Sequence, residues 1–255
     1  MTSSLALHAL PGIPMVQKGD DLAGLIEAAL ARAGLALAPG DVLVLAQKIV
    51  SKAEGRIVEI PTITASPEAI ELAQTVQKNP RVVQVILDQS VRVVRARPNL
   101  LIVEHKRGWV MANAGIDHSN VAAQDGTERV LLLPEDPDAS AERLRARLAP
   151  TAGGPIGIVI SDSFGRAWRR GTAGIAIGAA GLPALVDLRG NPDLFGRILE
   201  VSISGFADEI AAAASLLQGQ GAEGQPVILV RGLKWSQPAM GAAHLVRPPN
   251  EDLFR

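Results

Sequence analysis

The sequence predicts an α+β fold. Amphipathic helical segments and apolar strand segments follow one another along the 255 residues without a strict β-α-β-α alternation. Hydrophobic residues make up 47 % of the chain, which is enough for a sizeable core and argues against disorder. No internal repeat and no linker marks a boundary, so we treat residues 1–255 as one unit.

The first predicted elements are a helix and a buried strand. Segment 19–34 repeats leucine and isoleucine at helical spacing, and Asp20 or Asp21 is its predicted cap. Segment 41–50 is short, β-branched and mostly apolar, which is typical of a buried strand. Residues 51–56 are then expected to turn the chain.

The middle of the chain predicts two helices and three strands. Ser66 is a good helix cap, Pro67 suits the first helical position, and Glu68 lies near the positive end of the dipole. A second helix is expected to begin at Pro80. The predicted strands are 91–97, 100–105 and 108–115.

The C-terminal half predicts a loop, a helix, a strand, a helix and a strand. In that order they cover residues 131–140, 141–148, 155–161, 207–219 and 225–233. The tail from Lys234 is rich in proline and charge, so we expect it to be partly loose.

Composition excludes several kinds of function. The chain has no cysteine, which rules out disulfides, zinc–thiolate sites, iron–sulfur clusters and cysteine nucleophiles. A net charge of −1 and only 3 % aromatic residues argue against nucleic acid as a partner. No apolar run approaches ~18 residues and no signal peptide is evident, so we expect a cytoplasmic protein without a membrane partner.

The established nucleotide and hydrolase motifs are absent. The chain has neither G-x-x-x-x-G-K-[ST] nor a strand-linked G-x-G-x-x-G, and it lacks H-E-x-x-H and G-x-S-x-G. The histidines are scattered, and a lone histidine is more often structural than catalytic.

The segment ISDSFGRAWRRG, residues 160–171, is the first candidate site. Asp162 and Ser163 follow an apolar strand, and oxygen ligands at a strand end suit magnesium or manganese. Arg166, Arg169 and Arg170 follow and could face anions such as phosphate. The alternative is that Asp162 caps a solvated turn.

Two further segments could complete such a site. In NAGIDHSN, Asp117 and Asn120 could hold a metal and a nucleotide, although the same residue types are common in plain turns. Lys52 follows the predicted strand 41–50 and could reach a phosphate as a point charge, or be solvated.

Glycine-rich and charged loops are the remaining candidates. Gly12 could bring backbone N–H groups close to a ligand, and the glycines of segment 216–226 could wrap a phosphate or form a helix end. Arg189, Asp193 and Arg197 could bind a substrate carboxylate or phosphate, or be exposed loop charges.

Taken in order, these segments resemble the coenzyme F-420 γ-glutamyl ligase family. The resemblance extends from Leu10 to Leu233, and the NAGID-x-SN and D-[ST]-x-GR-x-x-RRG pieces are specific in combination. It implies a family-specific α+β ligase fold, with mixed sheets and flanking helices in two intertwined lobes. It also implies the stand-alone form of the enzyme, acting as a homodimer.

The resemblance implies a reaction and its cofactors. Members of the family join L-glutamate to the lactyl carboxylate of a deazaflavin precursor that contains a phosphodiester, and further γ-linked glutamates can follow. GTP and two divalent cations, magnesium or manganese, are expected, and a monovalent cation is a further candidate. GTP would convert the carboxylate to an acyl phosphate, which the glutamate amine then attacks.

Site residues are carried over position by position. The implied metal ligands are Asp117, Asp162, Ser163 and Gln220. The implied GTP contacts are Leu10, Pro11, Gly12, Ile13, Gln47, Lys48, Lys52, Asn120, Gln218, Gly219, Gln220, Gly221, Ala222, Glu223, Gly224 and Gln225. The residues expected to assist catalysis are Lys52, Arg166 and Arg170.

The chain departs from the family pattern at two places. Gln220 stands where some relatives have an acid, which lowers the negative charge at one metal. Gln47 and Lys48 stand where some have two small hydroxyl residues. The alternatives to a ligase are a metal-dependent GTP phosphohydrolase and a regulator that binds nucleotide or F-420.

Overall fold

The structure is a computed structural model that describes residues 4–117 and 126–252, and it confirms the α+β class. The helices are α1 Leu22–Arg32, α2 Gln47–Ala53, α3 Pro67–Val76, α4 Pro80–Asp88, α5 Pro137–Ala152 and α6 Phe206–Gln218. The strands are β1 Ala6–Ala9, β2 Val42–Ala46, β3 Ile57–Glu59, β4 Ser90–Arg97, β5 Leu100–His105, β6 Val110–Ala112, β7 Arg129–Leu131, β8 Gly157–Gly165, β9 Thr172–Ala180, β10 Val186–Asp187, β11 Ile203–Ser204 and β12 Val227–Arg231. Within the described ranges, no helix is long and apolar enough to cross a membrane.

A five-stranded sheet forms the centre of the fold. Its strand order is β1-β12-β2-β8-β9, and β2 and β8 are parallel while the other neighbours are antiparallel. Alternate residues of β2 face opposite sides, so Leu43 and Leu45 pack with α1 and α5 while Val42 and Val44 pack with α6. Both faces of the sheet are therefore buried.

A second core lies in the part of the chain that connects β2 to β8. Strands β4, β5 and β6 form an antiparallel sheet there. Leu101 and Val103 of β5 share a buried cluster with Val83 and Ile86 of α4. The chain thus leaves the central sheet after β2, builds a separate core, and returns at β8.

The prediction of a strand over 41–50 is wrong in its second half. The strand ends at Ala46, and α2 begins at the next residue. In α2 the buried side chains of Gln47, Val50 and Ser51 lie at i, i+3 and i+4, which is a helical face. The Ser51 hydroxyl donates to Gln47 Oε1 at 2.9 Å, so these two polar groups satisfy each other. Segment 41–50 is too short and too uniformly apolar to show where the two-residue strand period gives way to the helical period.

The helix predicted from residue 141 begins earlier, at Pro137. Asp136 is its cap and accepts a hydrogen bond from the Ala139 N–H at 3.0 Å. The pair Asp136-Pro137 is therefore a helix start of the same kind as Ser66-Pro67, rather than part of a loop.

Strand β9 was not predicted, and β8 extends beyond residue 161. Segment 172–180 consists largely of glycine and alanine, which carry no strand signal. These small residues are required because helices approach closely: a Cβ at Gly174 would lie 2.5 Å from the Ala211 carbonyl oxygen, and one at Gly178 2.4 Å from that of Pro137.

Both chain ends differ in part from expectation. Helix α1 is preceded by Asp21 as predicted, but the Asp21 side chain makes no capping hydrogen bond. The C-terminal tail is docked rather than loose between residues 240 and 243. There, the Met240 N–H donates to the Leu182 carbonyl oxygen, and the Ala242 N–H donates to Asp138 Oδ1 at 2.7 Å.

His105 at the end of β5 makes stability depend on pH. Burial, reinforced by the positive charges of Arg107 and Lys106, lowers its pKa from 6.5 to about 4. Its Nδ1 accepts from the Arg107 N–H at 3.0 Å, which requires the neutral ring. The unfolded chain binds the proton more tightly, so we expect about 3 kcal/mol of stability to be lost as pH falls from 6.5 to 4.

Denaturant unfolding at several pH values measures this contribution. The His105→Asn variant keeps an acceptor near the Arg107 N–H and cannot titrate, so its unfolding free energy should fall less over that window. The exposed His244→Asn variant is the control and should behave as wild type. Equal pH slopes for wild type and His105→Asn would contradict the assignment.

Candidate functional site

A cavity of about 610 Å³ lies at the edge of the central sheet where β2 ends. Ala46 pairs with Ser161, so the end of β2 and the continuing strand β8 meet at this edge. The predicted site residues that line the cavity are Ile13, Gln47, Lys48, Lys52, Asp117, Asp162, Ser163, Gln218, Gly219, Gln220, Gly221, Ala222, Gly224 and Gln225. Residues from five separate segments of the sequence therefore share one wall.

Asp162 is presented by a distortion in the middle of a strand. Strand β8 does not end before Asp162, as the sequence suggested, but continues to Gly165 in register with β9. Ile160 pairs with Gly178 and Ser161 pairs with Ala176, so this β-bulge has its extra residue, Ile177, on β9. Ser161, Asp162 and Ser163 all line the cavity, although regular alternation would turn the middle side chain to the other face.

Asp117 is held at the cavity by its backbone. Its N–H donates to the Leu131 carbonyl oxygen at 3.0 Å, and its carbonyl oxygen accepts from the Leu131 N–H at 2.9 Å. This isolated bridge attaches Asp117 to the end of β7. The carboxylate therefore enters the site from the connection between the two cores.

The two carboxylates influence each other. Burial, with a smaller contribution from the negative charge of Asp117, raises the pKa of Asp162 to about 6. The Ser163 backbone N–H and the Lys48 ammonium act in the opposite direction. An acid with a raised pKa in a cavity is a good candidate for a functional group.

Two lysines of α2 face these acids. Lys48 Nζ lies 2.6 Å from Asp117 Oδ2, and the side chains of Lys48 and Asp117 are 31 % and 27 % exposed. Lys52 is one helical turn further on, in α2 rather than in the predicted turn. Burial and the neighbouring Lys48 lower the pKa of Lys52, while Asp117 raises it. The site thus combines two carboxylates with two ammonium groups.

The glycine-rich loop closes the cavity. Helix α6 ends at Gln218, and Gly219 follows at φ +70°, where an added Cβ would collide with the Glu223 side chain. Gln220 Nε2 donates to Ser163 Oγ at 2.8 Å, which attaches the loop to β8. Gln218 Nε2 is buried without a hydrogen-bond partner among the described residues, so it can donate to a ligand.

Several predicted residues lie elsewhere. Leu10 is buried, and the carbonyl oxygens of Pro11 and Gly12 accept hydrogen bonds from Arg32, so Ile13 is the first residue of this segment at the cavity. The remaining predictions that do not line the cavity are Glu223, Arg166, Arg169 and Arg170. Asn120 lies outside the described residues.

The charged loop 189–197 makes local interactions and does not line the cavity. Arg189 pairs with Asp187 at 2.6 Å. Asp193 accepts hydrogen bonds from the backbone N–H groups of Phe195 and Arg197. The Asp187 and Asp193 carboxylates thus stabilise local turns.

The donor set at the cavity fits a hard divalent cation. Carboxylate, hydroxyl and amide oxygens are the ligands that magnesium and manganese prefer. Among the described residues, however, no group of three or more histidine, aspartate or glutamate side chains is placed to hold a metal. The described residues therefore offer few anionic ligands to a cation at this cavity.

Sequence analysis missed part of the cavity wall. Ser161 is buried and its hydroxyl contacts the Leu45 carbonyl oxygen and Gln218 Oε1, both at 3.3 Å. Pro14, Met15 and Val16 also line the cavity. A signal existed in both places, because Ser161 lies within the candidate segment 160–171 and Pro14, Met15 and Val16 directly follow Ile13.

Comparison with known proteins places the chain in a family. Residues 12–232 match the family model described as F420-0:Gamma-glutamyl ligase. Proteins named Coenzyme F420:L-glutamate ligase from Methanothermobacter thermautotrophicus and Methanopyrus kandleri are each 43 % identical to this chain, covering 98 % and 99 % of it and 99 % and 98 % of their own lengths. The protein of that name from Archaeoglobus fulgidus is 42 % identical over 96 % of this chain and 94 % of its own. The chain belongs to the F420-0:gamma-glutamyl ligase family.

Proposed function

We propose that this protein uses GTP and divalent metal to ligate L-glutamate to the carboxylate of the coenzyme F-420 precursor, through an acyl phosphate. The observation that carries the proposal is the single cavity in which Asp117, Asp162, Lys48 and Lys52 face the glycine-rich loop. The relatives' shared name, Coenzyme F420:L-glutamate ligase, supports the choice of acceptor and amino acid. Amide-bond formation of this kind makes the protein a carbon–nitrogen ligase.

The glycine-rich loop and α2 provide the phosphate side of the site. Backbone N–H groups in a glycine loop can approach phosphate oxygens closely. Lys48 and Lys52 add positive charge to the lining of the same cavity. Gln218 Nε2 supplies a buried donor that needs an acceptor. These groups together suit a nucleoside triphosphate, and GTP is the one expected for the family.

Asp117, Asp162, Ser163 and Gln220 are the residues that would hold the divalent cations. When bound, magnesium or manganese neutralises charge on the phosphates. Gln220 uses its amide nitrogen on Ser163, so its carbonyl oxygen is the atom able to bind a cation. The ion pair between Lys48 and Asp117 already places a positive charge where these ligands converge.

The reaction needs positioning more than a protein nucleophile. The precursor carboxylate attacks the γ-phosphorus and GDP leaves; the glutamate amine then attacks the acyl carbon and phosphate leaves. Lys52 lines the cavity and would stabilise charge on the transferred phosphoryl group. This agrees with a chain that has no cysteine.

We further propose that the protein acts as a homodimer. Leu194, Phe195 and Val201 are 99 %, 95 % and 86 % exposed, and all three lie in the segment between β10 and β11. Large apolar side chains exposed in one segment favour association with another surface. A two-stranded ribbon such as β10–β11 is also marginally stable unless it is covered.

Product mass spectrometry tests the proposed reaction. Protein is incubated with precursor, L-glutamate, GTP and manganese, and each component is omitted in turn. We expect a mass gain of one or more glutamyl units that requires every component. GDP formation without glutamyl transfer would instead establish the phosphohydrolase, and no change in either would contradict both enzymatic readings.

The Asp162→Asn variant tests the metal site. Ligation should fall at least about 100-fold because a charged ligand is lost at the reacting phosphates. The unfolding midpoint of the metal-free protein should be unchanged or higher, since the variant removes a carboxylate whose ionisation burial opposes. Asp88→Asn, at an exposed position of α4, is the matched control. Near-normal turnover of Asp162→Asn at saturating manganese would refute the assignment.

The Lys48→Met variant tests the charge balance at Asp117. Removing the ammonium group leaves Asp117 more available to a cation, so manganese affinity measured by calorimetry should rise about tenfold, or about 1.4 kcal/mol. Lys234→Met removes an exposed lysine that does not line the cavity, and it should leave the affinity unchanged. A weaker or equal affinity in Lys48→Met would show that the ion pair does not oppose metal binding.

A further inference from the structure

The turn that joins β8 to β9 has an unusual tip. Trp168 is 90 % exposed, and its backbone has φ +64°, a left-handed conformation that is costly for a bulky residue. The other two tryptophans, Trp109 and Trp235, are buried or partly buried. An indole that is held out in solvent by a strained backbone suggests a ligand rather than a packing role.

The same tip carries an unneutralised positive charge. Arg166, Arg169 and Arg170 are all exposed, and none of the three forms an ion pair within the part of the chain that the structure describes. One guanidinium N–H of Arg166 donates to the Arg170 carbonyl oxygen at 3.3 Å, which links the two sides of the turn. Arg169 and Arg170 directly follow the indole in sequence, and their side chains remain available to anions.

Paired strands connect the tip of the turn to Asp162 and Ser163 at the cavity. Ser163 pairs with Gly174 and Gly165 pairs with Thr172, so the hairpin is regular from the cavity to the base of the turn. At ~3.3 Å per residue, the base of the turn lies about 7 Å beyond Ser163. A ligand with one end at Asp162 can therefore extend along the hairpin to Trp168.

We propose that Trp168 and the arginines beside it form the binding platform for the deazaflavin end of the precursor. This inference rests on the proposed ligase function. The precursor has its carboxylate at one end, a planar aromatic ring at the other, and a phosphodiester between them. With the carboxylate in the cavity, the phosphodiester reaches Arg169 and Arg170, and the ring stacks on the indole of Trp168.

The chemistry of the tip matches this ligand better than it matches GTP. The glycine-rich loop and the lysines that suit the triphosphate line the cavity, whereas Trp168 and the arginines do not. A planar ring gains most from an exposed aromatic face, and a phosphodiester gains from a guanidinium. The platform therefore selects the acceptor substrate and leaves the nucleotide to the cavity.

Trp168→Ala and Trp168→Phe test the platform. Equilibrium titration with precursor, without GTP, should show Trp168→Ala binding about tenfold or more weakly, and Trp168→Phe should retain most of the affinity because it can still stack. In turnover, the KM for precursor should rise in Trp168→Ala while kcat and the KM values for GTP and glutamate stay within about twofold. Val91→Ala, at an exposed apolar position of β4, is the control and should match wild type.

The outcomes separate this inference from the ligase function. Wild type that ligates, together with a Trp168→Ala variant of unchanged precursor affinity, would overturn the platform alone. Wild type that binds precursor with the predicted dependence on Trp168 and does not ligate would overturn the ligase function alone. Size-exclusion chromatography with light scattering completes the test, because loss of a dimer in Trp168→Ala would assign the tip to a second copy and overturn the platform.

Discussion

The parallel pairing of β2 with β8 is the constraint on which the site depends. Residues Val42–Ala46 lie beside residues 157–161, more than a hundred positions later in the chain. Parallel strands bring their carboxyl ends to the same edge, so α2 with its two lysines and the part of β8 that carries Asp162 must meet there. The antiparallel pairing of β12 with β2 then brings the glycine-rich loop, which precedes β12, to that edge as well.

The charges at this edge are arranged for a ligand rather than for stability. Burial raises the pKa of Asp162, and burial and Lys48 lower the pKa of Lys52, so the surroundings of both side chains oppose their charged forms. In the proposed function, phosphate oxygens and a cation would stabilise these groups, which are held partly out of water. Gln218 Nε2 belongs to the same pattern, since it is buried and has no hydrogen-bond partner among residues 4–117 and 126–252.

The sequence predicted the features that leave a local pattern, and it did not predict those that depend on contacts between distant segments. The cap-and-proline start of α3 was predicted correctly, whereas the same pattern at α5 was taken for a loop. The motif residues that line the cavity converge although they are scattered in sequence. Strand β9 was missed because its glycines are required by the close packing of helices α5 and α6. Contacts with helices that are distant in sequence leave no local pattern. Gly12 was expected at the ligand but contacts Arg32, because a glycine turn shows only that something is close and not what it is.

The backbone of the β8–β9 hairpin joins the cavity, where the reaction is proposed to occur, to the turn that is proposed to bind the precursor ring. Its first strand carries Asp162 and Ser163 at the cavity, and its turn presents Trp168. The paired strands are fixed on the central sheet, where Gly174 and Gly178 allow α6 and α5 to pack directly against β9. A substitution that enlarged either glycine would move the strand, and so would displace the acids and the tip together. Gly174 and Gly178, whose small size prevented the prediction of β9, therefore fix the position of the cavity acids relative to Trp168.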